Sequence, residues 1–319
     1  MKITLDISKL LEEGKITAAE AERLQALASH ETGSLGINIL ISFGVVSVAA
    51  GAVALVPTPL TAVGLGLLLF AAGWAIVLHR AAQWGVFGQI CLVIGALMFG
   101  GGVLVYGDGS LASSLIVTLA FALAAVAARS SLLTALAVLA ASACLGARTG
   151  YSHAMYSLAI FEPTLTIVLF GALAFVAYHF SRQLPADYER IALMAARTSI
   201  VLVNFGFWIG SLWGDPLMLL RGLSGDDVRA SSLKIVVPDW VFTVGWAAAL
   251  IAAGVWAARV NRRWLVNIAA AFGAIHFYTQ WFERLGATPA SVLLAGVILL
   301  AVALALWRFN RRAAAVAPA

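Results

Sequence analysis

The chain consists largely of ten long runs of mainly apolar residues that follow one another with short interruptions. A helix needs about 20 such residues to cross the roughly 30 Å hydrocarbon core of a bilayer. The runs cover 35–56, 60–78, 86–106, 111–128, 132–146, 164–180, 191–213, 240–258, 265–282 and 289–307. They predict an all-α fold, a polytopic transmembrane helical bundle of about ten spans. Two runs, 132–146 and 164–180, are short, so either one could be re-entrant or displaced from the membrane centre.

The composition excludes the other common classes of protein. Hydrophobic residues make up 62% of the 319 residues and charged residues 11%, whereas an ordinary soluble domain is about half apolar and about a quarter charged. A soluble enzyme, a disordered chain and a disulfide scaffold are therefore excluded. The basic residues lie at the ends of apolar runs without interleaved aromatic residues, so no nucleic-acid partner is expected.

The distribution of basic residues predicts the orientation. With the N-terminus placed inside, 14 of the 20 Lys and Arg residues fall on the inner side, five on the outer side, and Arg197 within a span. This asymmetry is the one described by the positive-inside rule. It predicts a multi-pass membrane protein with both termini in the cytoplasm.

Three segments follow from this reading: a cytoplasmic helical hairpin over 1–34, a transmembrane domain over 35–312 and a short cytoplasmic tail over 313–319. In the hairpin, Gly14 is expected to end a first helix, and Thr17 with Glu20 forms a capping box for a second. A hairpin this small cannot bury enough surface to fold alone. We expect it to pack on the membrane face, on a neighbouring subunit or on a protein partner.

Three polar side chains lie deep within predicted spans. Asn204 lies in 191–213, and His276 and Gln280 lie one helical turn apart in 265–282. All three fall at a similar depth toward the outer side. They either hydrogen-bond across helices and hold them together, or line a polar pocket that is open to the outer side.

The segment 204–215 combines glycine, tryptophan and an acidic residue. Three glycines recur every four residues on one helix face, which allows close approach by another helix: Gly206, Gly210 and Gly214. Packing is one interpretation of this segment. The alternative is an outward cavity whose rim is formed by Trp208, Trp213 and Asp215.

Arg197 is the one basic residue within a predicted span. It lies six residues into 191–213, which is about 9 Å below the cytoplasmic edge at ~1.5 Å per residue. A long cationic side chain at this depth can reach the headgroups. It is expected to be a snorkelled anchor, or to contact a lipid phosphate or an interhelical carbonyl.

No pattern in the sequence predicts catalysis. All 15 acidic residues lie outside the predicted spans, which disfavours a proton-driven transporter because such proteins need a titratable group at depth. No metal-ligand spacing and no phosphate-binding glycine loop occurs. The sequence therefore predicts no catalytic residue, no metal and no cofactor.

As a whole, the chain resembles a family of uncharacterised bacterial multi-pass membrane proteins known only as a domain of unknown function. The similar residues are Leu11, Gly14, Ile16, Glu20 and Leu24 in the N-terminal segment, Gly88, Gln89, Gly95 and Gly100 in the third span, and the pair Arg129 and Ser130. The resemblance implies a location in the bacterial inner membrane. It implies no activity and no catalytic residue.

Two functions compete on these grounds. The first is a non-catalytic scaffold or regulatory protein, with membrane lipids around it and a possible protein partner at the N-terminal hairpin. The alternative is a transporter of a small solute or lipid, with an outward polar cavity. An intramembrane enzyme using His276 has the least support, because no nucleophile or carboxylate accompanies that residue in a span.

Overall fold

The computed structural model describes residues 7–78, 84–152, 155–218 and 236–315. The chain forms two compact units, Met1–Ala140 and Ala141–Ala319. The first unit contains α1 (Ile7–Glu12), α2 (Ala18–Leu55), α3 (Pro59–Leu78), α4 (Gly85–Tyr106), α5 (Leu111–Ala128) and most of α6 (Ser131–Cys144). The second contains β1 (Arg148–Ser152), β2 (Met155–Ala159), α7 (Pro163–Ser181), α8 (Ala186–Trp213), α9 (Asp239–Arg259), α10 (Arg263–Leu285) and α11 (Pro289–Ala315). The predicted single domain over 35–312 thus divides into two, and the predicted tail over 313–319 lies partly outside the described residues.

Six of the described helices are long and apolar enough to cross a membrane. They are α3, α4, α5, α7, α8 and α9. The chain is therefore a helical, multi-pass membrane protein.

The other four predicted spans coincide with helices that, within the described residues, are either too short or not apolar enough to cross a membrane. The apolar parts of α2 and α11 are Leu40–Leu55 and Pro289–Ala301, and α6 has only 14 residues. Helix α10 has 23 residues, but polar side chains such as His276 and Gln280 make it less apolar. The structure therefore supports a membrane bundle, with six of the ten predicted spans meeting the criteria.

The N-terminal segment differs from the predicted separate hairpin. Helix α2 is continuous over its 38 residues from Ala18 to Leu55, so the predicted boundary after residue 34 falls inside a helix. At ~1.5 Å per residue it extends about 57 Å, well beyond the roughly 30 Å hydrocarbon core. Helix α2 continues past residue 34 because the glycines at 33 and 36 are tolerated within a helix and no proline interrupts the segment.

The predicted turn between the first two helices is confirmed. Gly14 has a φ of +65°, and its N–H donates to the Leu11 carbonyl at 3.1 Å, which ends α1. The Glu20 N–H donates to Thr17 Oγ1 at 3.3 Å and the Thr17 N–H donates to Glu20 Oε2 at 2.8 Å. The Thr17 hydroxyl also donates to Glu20 Oε2, at 2.9 Å. The bonds that Glu20 Oε2 accepts, first from the Thr17 backbone N–H and then from the hydroxyl, lower the pKa of the Glu20 carboxyl.

Five glycines at intervals of seven residues form the contact between α3 and α4. Gly66 and Gly73 lie on α3, and Gly88, Gly95 and Gly102 lie on α4. Seven residues make two helical turns, so the glycines of each helix share one face. Gly66 lies opposite Gly95 and Gly73 lies opposite Gly88, which makes the pair antiparallel.

The two helices touch backbone to backbone along this glycine seam. A Cβ atom built on Gly95 would lie 2.5 Å from the Phe70 nitrogen and 2.6 Å from the Gly66 carbonyl oxygen. One built on Gly73 would lie 2.7 Å from the Gly88 carbonyl oxygen. Lipid tails are as apolar as leucine, so helices in a membrane associate mainly through close van der Waals contact of this kind.

The core of the first unit lies where α4, α5 and α6 meet. Phe121 of α5 is buried there, and a Cβ atom on Gly100 of α4 would lie 2.6 Å from its ring. The buried apolar residues packed together at this point are Ala96, Val117, Phe121, Ala125, Leu133 and Ala137. Glycine at 100 thus makes room for the largest of these side chains.

Two of the described elements are strands. Strands β1 and β2 pair in antiparallel register, with Arg148 opposite Ala159 and Ser152 opposite Met155. The all-α prediction treats this segment as a loop. It is rich in Thr, Ser and Tyr, and Thr and Tyr favour extended backbone over helix.

The glycine seam leads to a stability prediction. Gly95→Ala places a methyl group against the Phe70 and Gly66 backbones, and this overpacking is expected to cost about 1–3 kcal/mol. Gly101→Ala is the matched control on the same helix, because a Cβ atom there meets nothing within 4 Å. Reversible unfolding in detergent should show a loss for the first variant and none for the second. Equal stability of the two variants would contradict the close backbone contact between α3 and α4 at Gly95.

Candidate functional site

The predicted pocket residue Asn204 lies on α8 in the second unit and is satisfied by two hydrogen bonds. Its Nδ2 donates to the Ile200 carbonyl at 2.8 Å, and its Oδ1 accepts from Trp246 Nε1 at 2.9 Å. Trp246 of α9 is only 1% exposed. The amide therefore links α8 to α9 at a depth where lipid offers no partner for the indole N–H.

His276 of α10 reaches the same place from the other side of the tryptophan. Its ring stands edge to face on Trp246, with 4.9 Å between the centroids and 75° between the planes. The structure thus brings Asn204 and His276 together around Trp246, a residue that the sequence reasoning missed. Its position in the middle of a span, rather than at an end, was the available signal.

The third predicted pocket residue, Gln280, does not join this cluster. One residue earlier on α10, the Thr279 hydroxyl accepts a hydrogen bond from Trp208 Nε1 of α8 at 3.0 Å. This bond links α8 to α10, and the predicted place of Trp208 at the rim of a cavity stays a prediction. Trp213, also predicted at the rim, is 63% exposed at the end of α8.

A cavity of about 210 Å³ lies between α8, α9 and α10. Asn204 and Trp246 line one part of it, and the rest of its lining is apolar. Its α10 residues, Leu265 and Ile268, lie near the start of that helix, on the side of His276 away from Gln280. The cavity therefore extends toward the α9–α10 turn. The outward cavity with Trp208, Trp213 and Asp215 at its rim stays a prediction.

Asp215, also predicted at the rim, caps the start of α7. It is fully buried, its Oδ2 accepts from the Thr164 N–H at 2.7 Å, and its Oδ1 accepts from the Leu217 N–H at 2.8 Å. Thr164 lies in the first turn of α7, where N–H groups have no partner within the helix. A carboxylate at this position also complements the positive end of the helix dipole.

A second acidic residue at this end of α7 was not singled out from the sequence. Glu162, the residue before α7, is 3% exposed. Its place just before Pro163, a proline at the start of a helix, was the available signal. The second unit thus buries two carboxyl groups next to the same helix start.

The three predicted packing glycines have different roles. A Cβ atom on Gly206 would lie 3.0 Å from Ile167 of α7, and one on Gly210 would lie 2.5 Å from the ring of Phe242 of α9. These two let α8 approach both neighbours, as the packing interpretation predicts. Gly214 has a φ of +70° and ends α8, with its N–H donating to the Gly210 carbonyl at 2.8 Å.

Arg197 is exposed on α8 and lies against an aromatic ring. Its Cζ is 5.2 Å from the ring centroid of Trp264, at the start of α10. This is a cation–π contact, which is strongest with tryptophan. The predicted contact with a lipid phosphate stays a prediction.

Within the described ranges, no three His, Cys, Asp or Glu side chains come close enough to hold a metal ion. Three polar side chains of the second unit instead bond to another helix or to a helix end: Asn204, Trp208 and Asp215. Chemically, this arrangement can join α7, α8, α9 and α10.

Comparison of the chain with protein family models, with curated proteins and with solved structures found no match. The resemblance to an uncharacterised bacterial membrane family therefore stays a prediction.

The Asn204–Trp246 contact leads to a prediction of energetic coupling. Asn204→Ala leaves the buried indole N–H without an acceptor, which is expected to cost about 1–3 kcal/mol. Trp246→Phe removes that donor, so the double variant should lose less stability than the two single losses combined. Gln280→Ala is the control and should change the unfolding free energy by less than about 0.5 kcal/mol. Fully additive losses in reversible detergent unfolding would contradict the contact.

Proposed function

We propose that the chain is a non-catalytic scaffold or regulatory protein of the bacterial inner membrane. The observation that carries this proposal is that polar side chains of the second unit form hydrogen bonds that connect its helices. Asn204 bonds to Trp246, Trp208 bonds to Thr279, and Asp215 caps α7. A path for a polar solute needs polar groups that are free to contact the solute, whereas these three side chains join helices.

The proposed topology has ten crossings and both termini in the cytoplasm. Helices α2, α10 and α11 have 38, 23 and 27 residues, and each is long enough to cross about 30 Å. Helix α6 has 14 residues and extends only about 21 Å, so its crossing requires local thinning of the bilayer. The excess of Lys and Arg on the proposed inner side supports this orientation.

The proposed contact for a protein partner is the N-terminal end of the chain. Helix α1 packs against the first turns of α2, where Ala21 is 6% exposed. Glu22 and Arg23, the next two residues, are exposed. Because α2 is longer than the membrane is thick, these charged residues stand clear of the bilayer and can meet a soluble partner.

Lipid handling is the second candidate function. The cavity beside Asn204 is lined mainly by apolar side chains, and its 210 Å³ is below the roughly 300 Å³ at which small-molecule pockets begin. It suits part of an acyl chain better than a polar solute. This observation favours a lipid over a small polar molecule within the transporter alternative.

The partner contact predicts a position-specific cross-link in cells. A photoreactive amino acid at Arg23 should give one discrete protein adduct, because this side chain is exposed. The same amino acid at Ala21 is the matched control and should give no protein adduct, because α1 covers that position. Detection is by electrophoresis and mass spectrometry after illumination. If position 23 yields only lipid adducts or none, the scaffold proposal is wrong.

The ten-span topology predicts a labelling pattern. In a chain with Cys91 and Cys144 replaced by alanine, Thr58→Cys and Ala287→Cys should react with a maleimide that cannot cross the inner membrane. Glu13→Cys should react only after permeabilisation, because α2 separates it from Thr58. Protection of Thr58→Cys together with Glu13→Cys would show that α2 does not cross, leaving fewer than ten spans.

A further inference from the structure

Two arginines share one tyrosine ring at one end of the second unit. The Cζ atoms of Arg182 and Arg262 lie 5.5 and 6.0 Å from the ring centroid of Tyr178. Arg182 Nη2 also donates to the Tyr178 hydroxyl at 3.2 Å. Trp256 of α9 stands edge to face on the same ring, with 6.2 Å between the centroids. We call Tyr178, Arg182, Trp256 and Arg262 the Tyr178 cluster.

The cluster carries positive charge without a carboxylate to balance it. Within the described ranges, neither Arg182 nor Arg262 forms an ion pair. The acidic residues nearest to Arg182 along the chain, Asp187 and Glu189, lie in the first turn of α8, where they complement the positive end of that helix.

Further basic residues increase this charge. Arg259 ends α9 and Arg263 begins α10, so they flank Arg262 on either side of the turn between these helices, and both are exposed. Like charges held this close favour the binding of an anion between them.

The cluster lies at the level where lipid headgroups would be. Arg182 directly follows α7 and Arg262 follows α9, and both of these helices are long and apolar enough to cross a membrane. Both arginine side chains are exposed, while Tyr178 is half-buried. Aromatic rings with basic residues at the ends of spans are typical of the membrane–water interface.

We propose that the Tyr178 cluster binds the phosphate of an anionic phospholipid. A guanidinium presents two parallel N–H donors to phosphate oxygens, and both guanidiniums lie within 6.0 Å of the centroid of the Tyr178 ring. Basic pockets between transmembrane helices are suited to anionic headgroups. The Tyr178 and Trp256 rings add apolar surface below the phosphate for the start of an acyl chain. This proposal does not depend on the scaffold function.

The test measures lipid binding by the full chain in a neutral detergent. Phosphatidylglycerol is titrated against wild-type protein and against Arg182→Gln/Arg262→Gln, and bound lipid is counted by native mass spectrometry. Each interfacial basic residue contributes about 1 kcal/mol, so we expect roughly 30-fold weaker binding by the double variant. Arg23→Gln/Arg284→Gln, with the same change in charge elsewhere, should bind like the wild type.

Three further arms decide what the site recognises. Phosphatidylcholine with matched acyl chains should bind far more weakly, and free glycerol phosphate should not compete at equal concentration. Arg182→Lys/Arg262→Lys keeps the charge but loses the planar donors, so its affinity should fall between those of the wild type and the Gln variant.

Several outcomes would overturn the proposal. Equal binding by the wild type and the Gln variant would show that the lipid lies elsewhere. Competition by glycerol phosphate would identify a soluble phosphate ligand, and wild-type affinity in the Lys variant would indicate diffuse charge rather than a formed site. Native mass spectrometry also reports whether each variant is folded, since unfolded protein shows a higher charge-state distribution.

Discussion

Hydrocarbon offers no hydrogen-bond partner to a polar group, and this constraint accounts for two of the contacts that join helices in the second unit. Trp246, placed in the middle of a span, needs an acceptor for its indole N–H, and Asn204 of the neighbouring helix provides it. Trp208 finds its acceptor in Thr279 in the same way. Each such pair joins two helices. Because an unpaired polar group is costly in hydrocarbon, these hydrogen bonds hold α9 and α10 against α8.

In the first unit, two helices associate through close backbone contact. Its closest helix pair, α3 and α4, uses glycines at seven-residue intervals instead of hydrogen bonds between side chains. Close backbone contact replaces the hydrophobic effect, which gives helices little reason to associate in lipid. The second unit combines glycine contacts of this kind, at Gly206 and Gly210, with hydrogen bonds between side chains of neighbouring helices.

Three arginines of the second unit lie where water or headgroups can reach them. Arg197 lies on Trp264, and Arg182 and Arg262 lie on Tyr178, so aromatic rings rather than carboxylates hold these cations. Asp215 is the contrasting case, because two backbone N–H groups and a helix terminus stabilise its buried carboxyl group. These two patterns separate residues that can meet a lipid from residues that hold the fold.

The sequence by itself determined the membrane class and the local signals: apolar runs predict helices, and Gly14, Thr17 and Glu20 predict a helix junction that the structure confirms. These features depend on neighbours within a few residues. Tertiary structure alone decided that Asp215 caps α7 across 51 residues, that Asn204 meets Trp246 across 42, and that Gln280 stays apart. Hydropathy cannot predict such pairs, because it reports how apolar a segment is and not which helix lies beside it.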